Sequence, residues 1–330
     1  MKHSIIFAFL LACGGTDTAT IPDGSDDTGS GNDGSTSSDG TTSNDGTTSN
    51  DGTTSSDGTA IDSSTTFNPA NVNGLVLWLE ADVAASVVQS NQRITQWKDQ
   101  TSHHNDANGS TQTTTQGRNP TVKTGQINSL DVVHFAKGQP NSPANMLVIT
   151  DNADKSLQWG TGDFYVAIVG EFDNDPKDNN GSNFQVGNFF SKNYSPSFNS
   201  FTGVALYGNL PTGQQNVTST GMLYMTASAL NDFAYTATAY NTNKPHLFGI
   251  RRQGNAIDLY VDGTSVNSAT ATTNVDVSAA NVPVRIGADG DANLIRLDGD
   301  IGEVYAVAGA LSASDQTSIQ AYLKKKWATP

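Results

Sequence analysis

The sequence predicts an all-β domain, a sandwich or barrel, closed by a short C-terminal helix and preceded by a long polar spacer. Three observations carry this. Short apolar or alternating runs of strand length recur between residues 74 and 286, with Gly, Asn, Asp and Pro between them. Residues 312–327 alone join a capping pattern to helical periodicity. Residues 33–59 repeat a six-residue unit that begins Asp-Gly and has nothing apolar to bury.

The chain opens with Met1-Lys2-His3, then the apolar run Ile5-Ile6-Phe7-Ala8-Phe9-Leu10-Leu11-Ala12, then Cys13, the one cysteine present. A basic start, a short apolar stretch and small residues at its end read as an export signal, whereas a membrane span needs about 20 apolar residues. Leu10-Leu11-Ala12-Cys13 resembles the lipobox of bacterial lipoproteins. That resemblance implies a signal peptide over residues 1–12, acylation of Cys13, and a lipid bilayer as partner. Gly14 resembles the outer-membrane sorting signal of Gram-negative cells, which implies a lipid-anchored location in the cell envelope, at the outer membrane or cell surface.

Residues 13–66 then form a linker. Residues 14–66 hold ten Asp and no Lys, Arg or Glu, so most of the net charge of −15 sits here and the rest of the chain is only mildly acidic. With almost nothing to bury, the segment cannot recover the ordering entropy of a fold and is expected to be a solvated coil. Some 50 flexible residues reach on the order of 40 Å. One Asp every six residues supplies no preformed calcium cage, so the repeat reads as a spacer. No basic field exists to displace phosphate counterions, which argues against nucleic acid as a partner.

From residue 67 to 330 the pattern is that of a folded domain. Gly74-Leu-Val-Leu-Trp78-Leu, Arg93-Ile-Thr-Gln-Trp97, Val132-Val-His-Phe135, Met146-Leu-Val-Ile149, Phe164-Tyr-Val-Ala-Ile-Val169, Gly203-Val-Ala-Leu-Tyr207, Gly221-Met-Leu-Tyr-Met225 and Val282-Pro-Val-Arg-Ile286 have strand length. The clearest hairpin joins His246-Leu-Phe-Gly-Ile-Arg-Arg252 to Ala256-Ile-Asp-Leu-Tyr-Val261 through Gln253-Gly254-Asn255. In its second arm Ile257, Leu259 and Val261 alternate with Asp258 and Tyr260, which predicts one apolar and one wet face. Ser312-Ala-Ser-Asp315 caps the helix, Ile319, Tyr322, Leu323 and Trp327 form its apolar stripe, and Lys324-Lys325-Lys326 favour its C-terminal dipole.

Two groups of these residues bear a family likeness. Gly74-Leu-Val-Leu-Trp78-Leu-Glu-Ala-Asp82 with Ile94-Thr-Gln-Trp97-Lys-Asp99 and Asn105-Asp-Ala107 forms the first; Leu259-Tyr-Val-Asp-Gly263, Ile286-Gly287, Leu297-Asp-Gly-Asp-Ile-Gly-Glu-Val304 and the helix into Lys326-Trp327 form the second. They resemble laminin G-like domains of the concanavalin A-like lectin/glucanase superfamily, over residues 74 to 327. The resemblance implies a two-sheet antiparallel jelly-roll sandwich. Residues 173–245 match no part of it, and a distinctive binding surface is expected there. The superfamily holds sugar binders, adhesion modules and hydrolases, so the fold leaves the activity open.

Candidate chemistry is sparse. Jelly-roll glucanases pair two Glu on one strand, but this chain has Glu80, Glu171 and Glu303 only, and none has a second glutamate within reach by sequence. Glu303 reads as a polar strand position, and no catalytic residue is assigned. His103-His104 reads as a solvated loop, and His134 and His246 have no visible partner. Asp289, Asp291 and Asn293 offer alternate oxygens, and laminin G-like domains often hold calcium at the sandwich rim, so this loop is the candidate calcium site. A second acidic loop follows Asp173. Residues 184–240 are rich in aromatics among amides and hydroxyls, as a sugar platform requires; about half are expected to be core. Tyr194, Phe198, Tyr207 and Tyr224 are the ligand candidates. The reading is a surface-tethered module that binds a glycan or another surface partner, with a protein adhesion module as the alternative and a glycoside hydrolase less favoured. Cys13→Ser is expected to move the protein from the membrane pellet to the soluble fraction on ultracentrifugation; a mutant that still pellets would exclude the lipid anchor.

Overall fold

A computed structural model of the protein describes residues 67–109, 119–136, 145–173, 187–197, 200–208, 223–225, 233–236, 240, 243–271, 276–278, 282–288 and 297–330. The export signal, Cys13 and the spacer lie outside the described residues. In chain order a 3-10 turn at Pro69–Asn71 leads into β1 (Leu75–Glu80), β2 (Val87–Ser90), β3 (Arg93–Trp97), β4 (Ala107–Asn108), β5 (Thr121–Ile127), β6 (Leu130–Phe135), β7 (Leu147–Ile149) and β8 (Phe164–Phe172). There follow β9 (Gly187–Ser197), β10 (Ser200–Gly208), β11 (Leu223–Met225), β12 (Phe233–Tyr235), β13 (His246–Gln253), β14 (Ala256–Val261), β15 (Thr264–Thr270), β16 (Val284–Ile286), β17 (Gly299–Ala308) and the helix α1 (Ala313–Trp327). Among the described residues no helix is long and apolar enough to cross a membrane.

The strands form two antiparallel sheets that pack as a jelly-roll sandwich. One has eight strands in the order β15-β14-β13-β8-β17-β6-β5, with β1 also on β17; the other has nine, β12-β11-β10-β9-β16-β7-β4-β3-β2. Between the sheets lies a core with Leu77, Trp97, Phe135, Val166, Ile168, Phe190, Val204, Leu206, Ile250, Ile286 and Val304. The hairpin forms as the sequence predicts, with Gly254 at φ +58 in its turn. Its second face, expected to be wet, is largely covered: Asp258 accepts from Arg251 Nε at 3.0 Å and Nη2 at 2.7 Å, and Tyr260 packs edge-on to Tyr165.

Every residue of β8 is buried, which explains why Phe164–Val169 reads as a continuous apolar run rather than an alternation. Phe164, Val166 and Ile168 face the other sheet, while Tyr165, Ala167 and Val169 join a second core beneath α1 with Leu247, Tyr305, Val307, Ile319, Leu323 and Trp327. Ser312 caps the helix by accepting Asp315 N at 3.0 Å, and its buried stripe is Gln316, Ile319, Gln320, Leu323 and Trp327. Two of the three terminal lysines have specific partners beyond the dipole. Lys324 Nζ donates to Asp262 O at 2.9 Å, and Lys326 reaches two carboxylates.

A bulge in β17 between Ile301 and Glu303 seats the helix. It resets the alternation, so that Ile301 and Val304 both face the inner core and Gly302 and Glu303 turn outward together. Gly302 is where Trp327 lands: a Cβ there would lie 2.7 Å from the indole ring. Glu303, its side chain fully buried, takes Trp78 Nε1 on Oε1 at 2.7 Å and Trp327 Nε1 and Lys326 Nζ on Oε2 at 2.7 and 2.9 Å. Burial pushes the Glu303 carboxyl up against these donors. Burial also pulls Lys326 down, but Glu303 and Glu80 outweigh it and hold the ammonium above the usual lysine value. Truncating one member of a buried, bonded charge cluster strands the others, so Glu303→Ala is expected to cost about 3–5 kcal/mol in urea unfolding. A loss below about 1 kcal/mol, the level of an exposed pair, would show that the helix is held by packing alone.

Candidate functional site

All three glutamates lie on the eight-stranded sheet, and the strand register gives each an acidic partner, in two pairings. Glu80 stands directly opposite Glu303 across β1 and β17, a pairing that sequence spacing does not reveal. Lys326 Nζ bonds both carboxylates. A retaining glycosidase needs its two carboxyls about 5–5.5 Å apart and open to a sugar. Here one ammonium joins them and two indoles complete the set, so this pair is a packing clamp for the helix.

The second pairing stands at the other end of β17, where Asp300 lies opposite Glu171 on one side and His134 on the other. Asp300 is fully buried, with His134 Nδ1 2.7 Å from Oδ1 and Lys123 Nζ 3.2 Å from Oδ2. Lys123 also stands 4.0 Å from Asp173. Backbone bonds stitch the strand ends into one rim: Gly287 N donates to Phe189 O (3.2 Å), Leu297 N to Gly287 O (2.8 Å) and Asp173 N to Asp298 O (3.0 Å). Phe172 and Phe189 close it from within, ring centroids 4.4 Å apart. Burial pushes Glu171 above the ordinary carboxylate range, and Asp300 and Asp173 add to the shift. Burial also raises Asp173, with Lys123 opposing and Asp300 and Asp298 reinforcing. The charged forms are therefore held here at a cost to stability.

On β9, in the other sheet, Asn188 is fully buried with neither Oδ1 nor Nδ2 bonded. An unsatisfied buried polar group costs about 1–3 kcal/mol, and native proteins keep few. Nothing in Gly187-Asn188-Phe189-Phe190 marks this residue; its isolation exists only once β10 and β16 flank β9.

The histidines of the sequence reading gain partners that it could not see. His134 pairs with Asp300, and His246 Nδ1 lies 2.7 Å from Asp262 Oδ2. His104 is exposed as expected for a solvated loop, but His103 is half-buried with Nδ1 against Asp154. The Trp97-Lys-Asp99 and Asn105-Asp-Ala107 motifs prove to be a structural corner. Asp99 accepts the backbone N–H of Trp78, Thr101 and Asn105 at 2.9, 3.0 and 2.9 Å, and Asn105 Nδ2 donates to Val76 O at 2.7 Å. These residues lock the turn between β3 and β4 onto β1.

Of the ligand candidates, Tyr194 lies on β9 opposite Thr202, Tyr207 on β10 between Asn188 and Leu223, and Tyr224 on β11 opposite Leu206. Their backbones thus occupy three adjacent strands, while their side chains lie outside the described residues. Phe198 and the loop with Asp289, Asp291 and Asn293 lie outside them altogether. Phe189 and Phe190 are core, as expected for part of this aromatic set. Among the described residues no group of three or more His, Cys, Asp or Glu is placed to hold a metal.

A family model of the laminin G type, described as concanavalin A-like lectin/glucanases superfamily, matches residues 187–315. The match takes in residues 187–245, which the sequence reading left unplaced, and begins after the Trp78 and Trp97 motifs that carried one end of the resemblance. No curated protein matches. Among solved structures, the binding domain of Paraclostridial Mosquitocidal Protein 1 is similar with a TM-score of 0.50 and 11% identity, over 80% of this chain and 56% of that one. The botulinum neurotoxin serotype D binding domain has a TM-score of 0.49 and 12% identity, over 80% and 56%. A Trypanosoma rangeli sialidase has a TM-score of 0.47 and 14% identity, over 78% and 33%. The chain spans about half the length of the two binding domains, and at these identities the likeness is one of fold.

Because Glu171 binds its proton more tightly in the fold than in the unfolded chain, the fold loses stability as pH rises through the raised value. Glu171→Gln is therefore expected to raise Tm at about pH 7 and to lose that advantage near pH 4, where the unfolded carboxyl is about half protonated. An advantage equal at both pH values would show that burial and the neighbouring acids do not raise the Glu171 carboxyl in the fold.

Proposed function

We propose that the protein is a non-catalytic glycan-binding module, tethered to the outer face of the cell envelope by an acylated Cys13 and a flexible spacer. The observation that carries the binding reading is the rim, where Glu171 lies opposite the buried Asp300 and Asp173 shares Lys123 with it, and where burial first and Asp300 second raise both carboxyls. Charge retained at a cost to stability is the mark of a working surface. A hydroxyl-rich ligand supplies the donors that such carboxylates accept. The match to a lectin/glucanase superfamily model over residues 187–315 supports the same reading, as does the use of Glu80 and Glu303 in packing. The tether rests on the lipobox-like Leu10-Leu11-Ala12-Cys13 and the Asp-Gly repeat.

Calcium at Asp289, Asp291 and Asn293 belongs to the proposal. Its support is a donor set of the oxygen type that calcium takes, in a chain segment leading to Asp298 and the rim. The full chain is expected to bind oligosaccharides on a glycan array, more strongly with calcium than with a chelator. Equal binding in both would remove the metal, and silence on the array with capture of an envelope protein would replace the glycan reading with protein adhesion.

A further inference from the structure

Lys192 is fully buried on the inner face of β9, opposite Val204 and two residues beyond Phe190, both of which belong to the core between the sheets. A lysine is almost never so placed unless it is paired. Its partner is Asp151, just past the end of β7: Nζ donates to Oδ1 at 3.1 Å, and also to Val282 O at 2.9 Å. Burial pulls the Lys192 amine below the usual lysine value, with Asp151 opposing. The interior thus favours the uncharged, nucleophilic form of an amine that rests against a carboxyl group. The two oxygens of that carboxyl are set differently. Oδ1 faces the amine, whereas Oδ2 accepts from Gln158 Nε2 at 2.7 Å. The residue after Gln158 anchors this segment, since the Trp159 ring stacks on Phe164 and Phe190 with centroids 4.5 and 6.2 Å away.

We propose that Lys192 and Asp151 condense in the folded protein into an intramolecular amide, a covalent link between β9 and the end of β7. Nζ passes one proton to Oδ1, and its freed lone pair attacks Cγ; a second Nζ proton follows, and Oδ1 leaves as water. One N–C bond forms, one C–O bond breaks, and nothing is oxidised or reduced. Oδ2 becomes the amide oxygen, and the Gln158 N–H stabilises the negative charge that gathers there during attack. The Asp151 side chain is 15% exposed, which gives the water an exit, while the amine side of the new bond stays dry. The chain's single cysteine, Cys13, leaves no disulfide to form within it, so this link is the covalent staple that its side chains allow. It joins residues 41 positions apart and spans β16, which lies between β7 and β9, so three strands of the nine-stranded sheet are pinned together.

The test is the mass of the denatured full-length chain, read beside Lys192→Met and Asp151→Ala with the same N-terminus. The wild type is expected one water lighter than its sequence mass, and both variants at theirs. In a tryptic digest the wild type is expected to resist cleavage after Lys192 and to yield a branched peptide that joins the segments holding residues 151 and 192. That peptide decides the matter even where a variant fails to fold. A wild type at its full sequence mass would overturn the proposal, and so would a water loss that persists in either variant. Gln158→Leu is expected to form the link on the order of a hundredfold more slowly after synthesis, the scale of one lost oxyanion donor. An unchanged rate would overturn the part given to Gln158.

Discussion

Burying a β-strand on both faces removes every outlet to water, and β17 is the strand on which this constraint falls hardest. All of its residues but Ala308 are buried, yet it carries Asp300 and Glu303. Each of these carboxylates must therefore find its partners inside the protein, and each does so through a different part of the chain. Glu303 draws in β1 and α1; Asp300 draws in β5 and β6. The sandwich is organised around the answer to one strand's two charges.

The two solutions differ in kind. Around Glu303 three donors occupy both carboxylate oxygens, and two of them are indoles that shield it, so the arrangement is closed. Around Asp300 the neighbours include further acids, and burial together with that proximity raises the Glu171 and Asp173 carboxyls. One end of the strand is spent on holding the helix, and the other keeps unresolved polarity where the strand ends of both sheets meet. A stiff strand connecting the two gives the polar end a fixed footing, which a recognition surface needs for geometric precision.

What was legible in the sequence was local. The Ser312 cap, the helical stripe and the hairpin at residues 246–261 depend on residues within a few positions of one another, and they form as read. The continuous apolar run of β8 gave strand length but not the fact that a helix covers its outer face. The pairing of Glu80 with Glu303 depends on the register of strands separated by most of the domain, and on a bulge that no residue type announces. The partners of His134 and His246 are hidden for the same reason. The motifs Trp97-Lys-Asp99 and Asn105-Asp-Ala107 were visible as a likeness, but only hydrogen bonds to Trp78 and Val76 show that their work is to fix a turn. Asn188 left no trace at all, because the lack of a partner is a property of surroundings.

The clamp joins Trp78 to Glu303 across 225 residues and Glu80 to Lys326 across 246. A polypeptide emerging from the ribosome therefore presents β1 long before its neighbour or its cover exists. Contacts of such sequence separation form late, and until Trp327 arrives the greasy back of the sheet around Tyr165 and Tyr305 has no roof. Any nascent product interrupted before that tryptophan displays the very surface that chaperones and quality-control proteases read, so the final turn of the helix doubles as a seal certifying that translation of the domain reached its last strand and beyond.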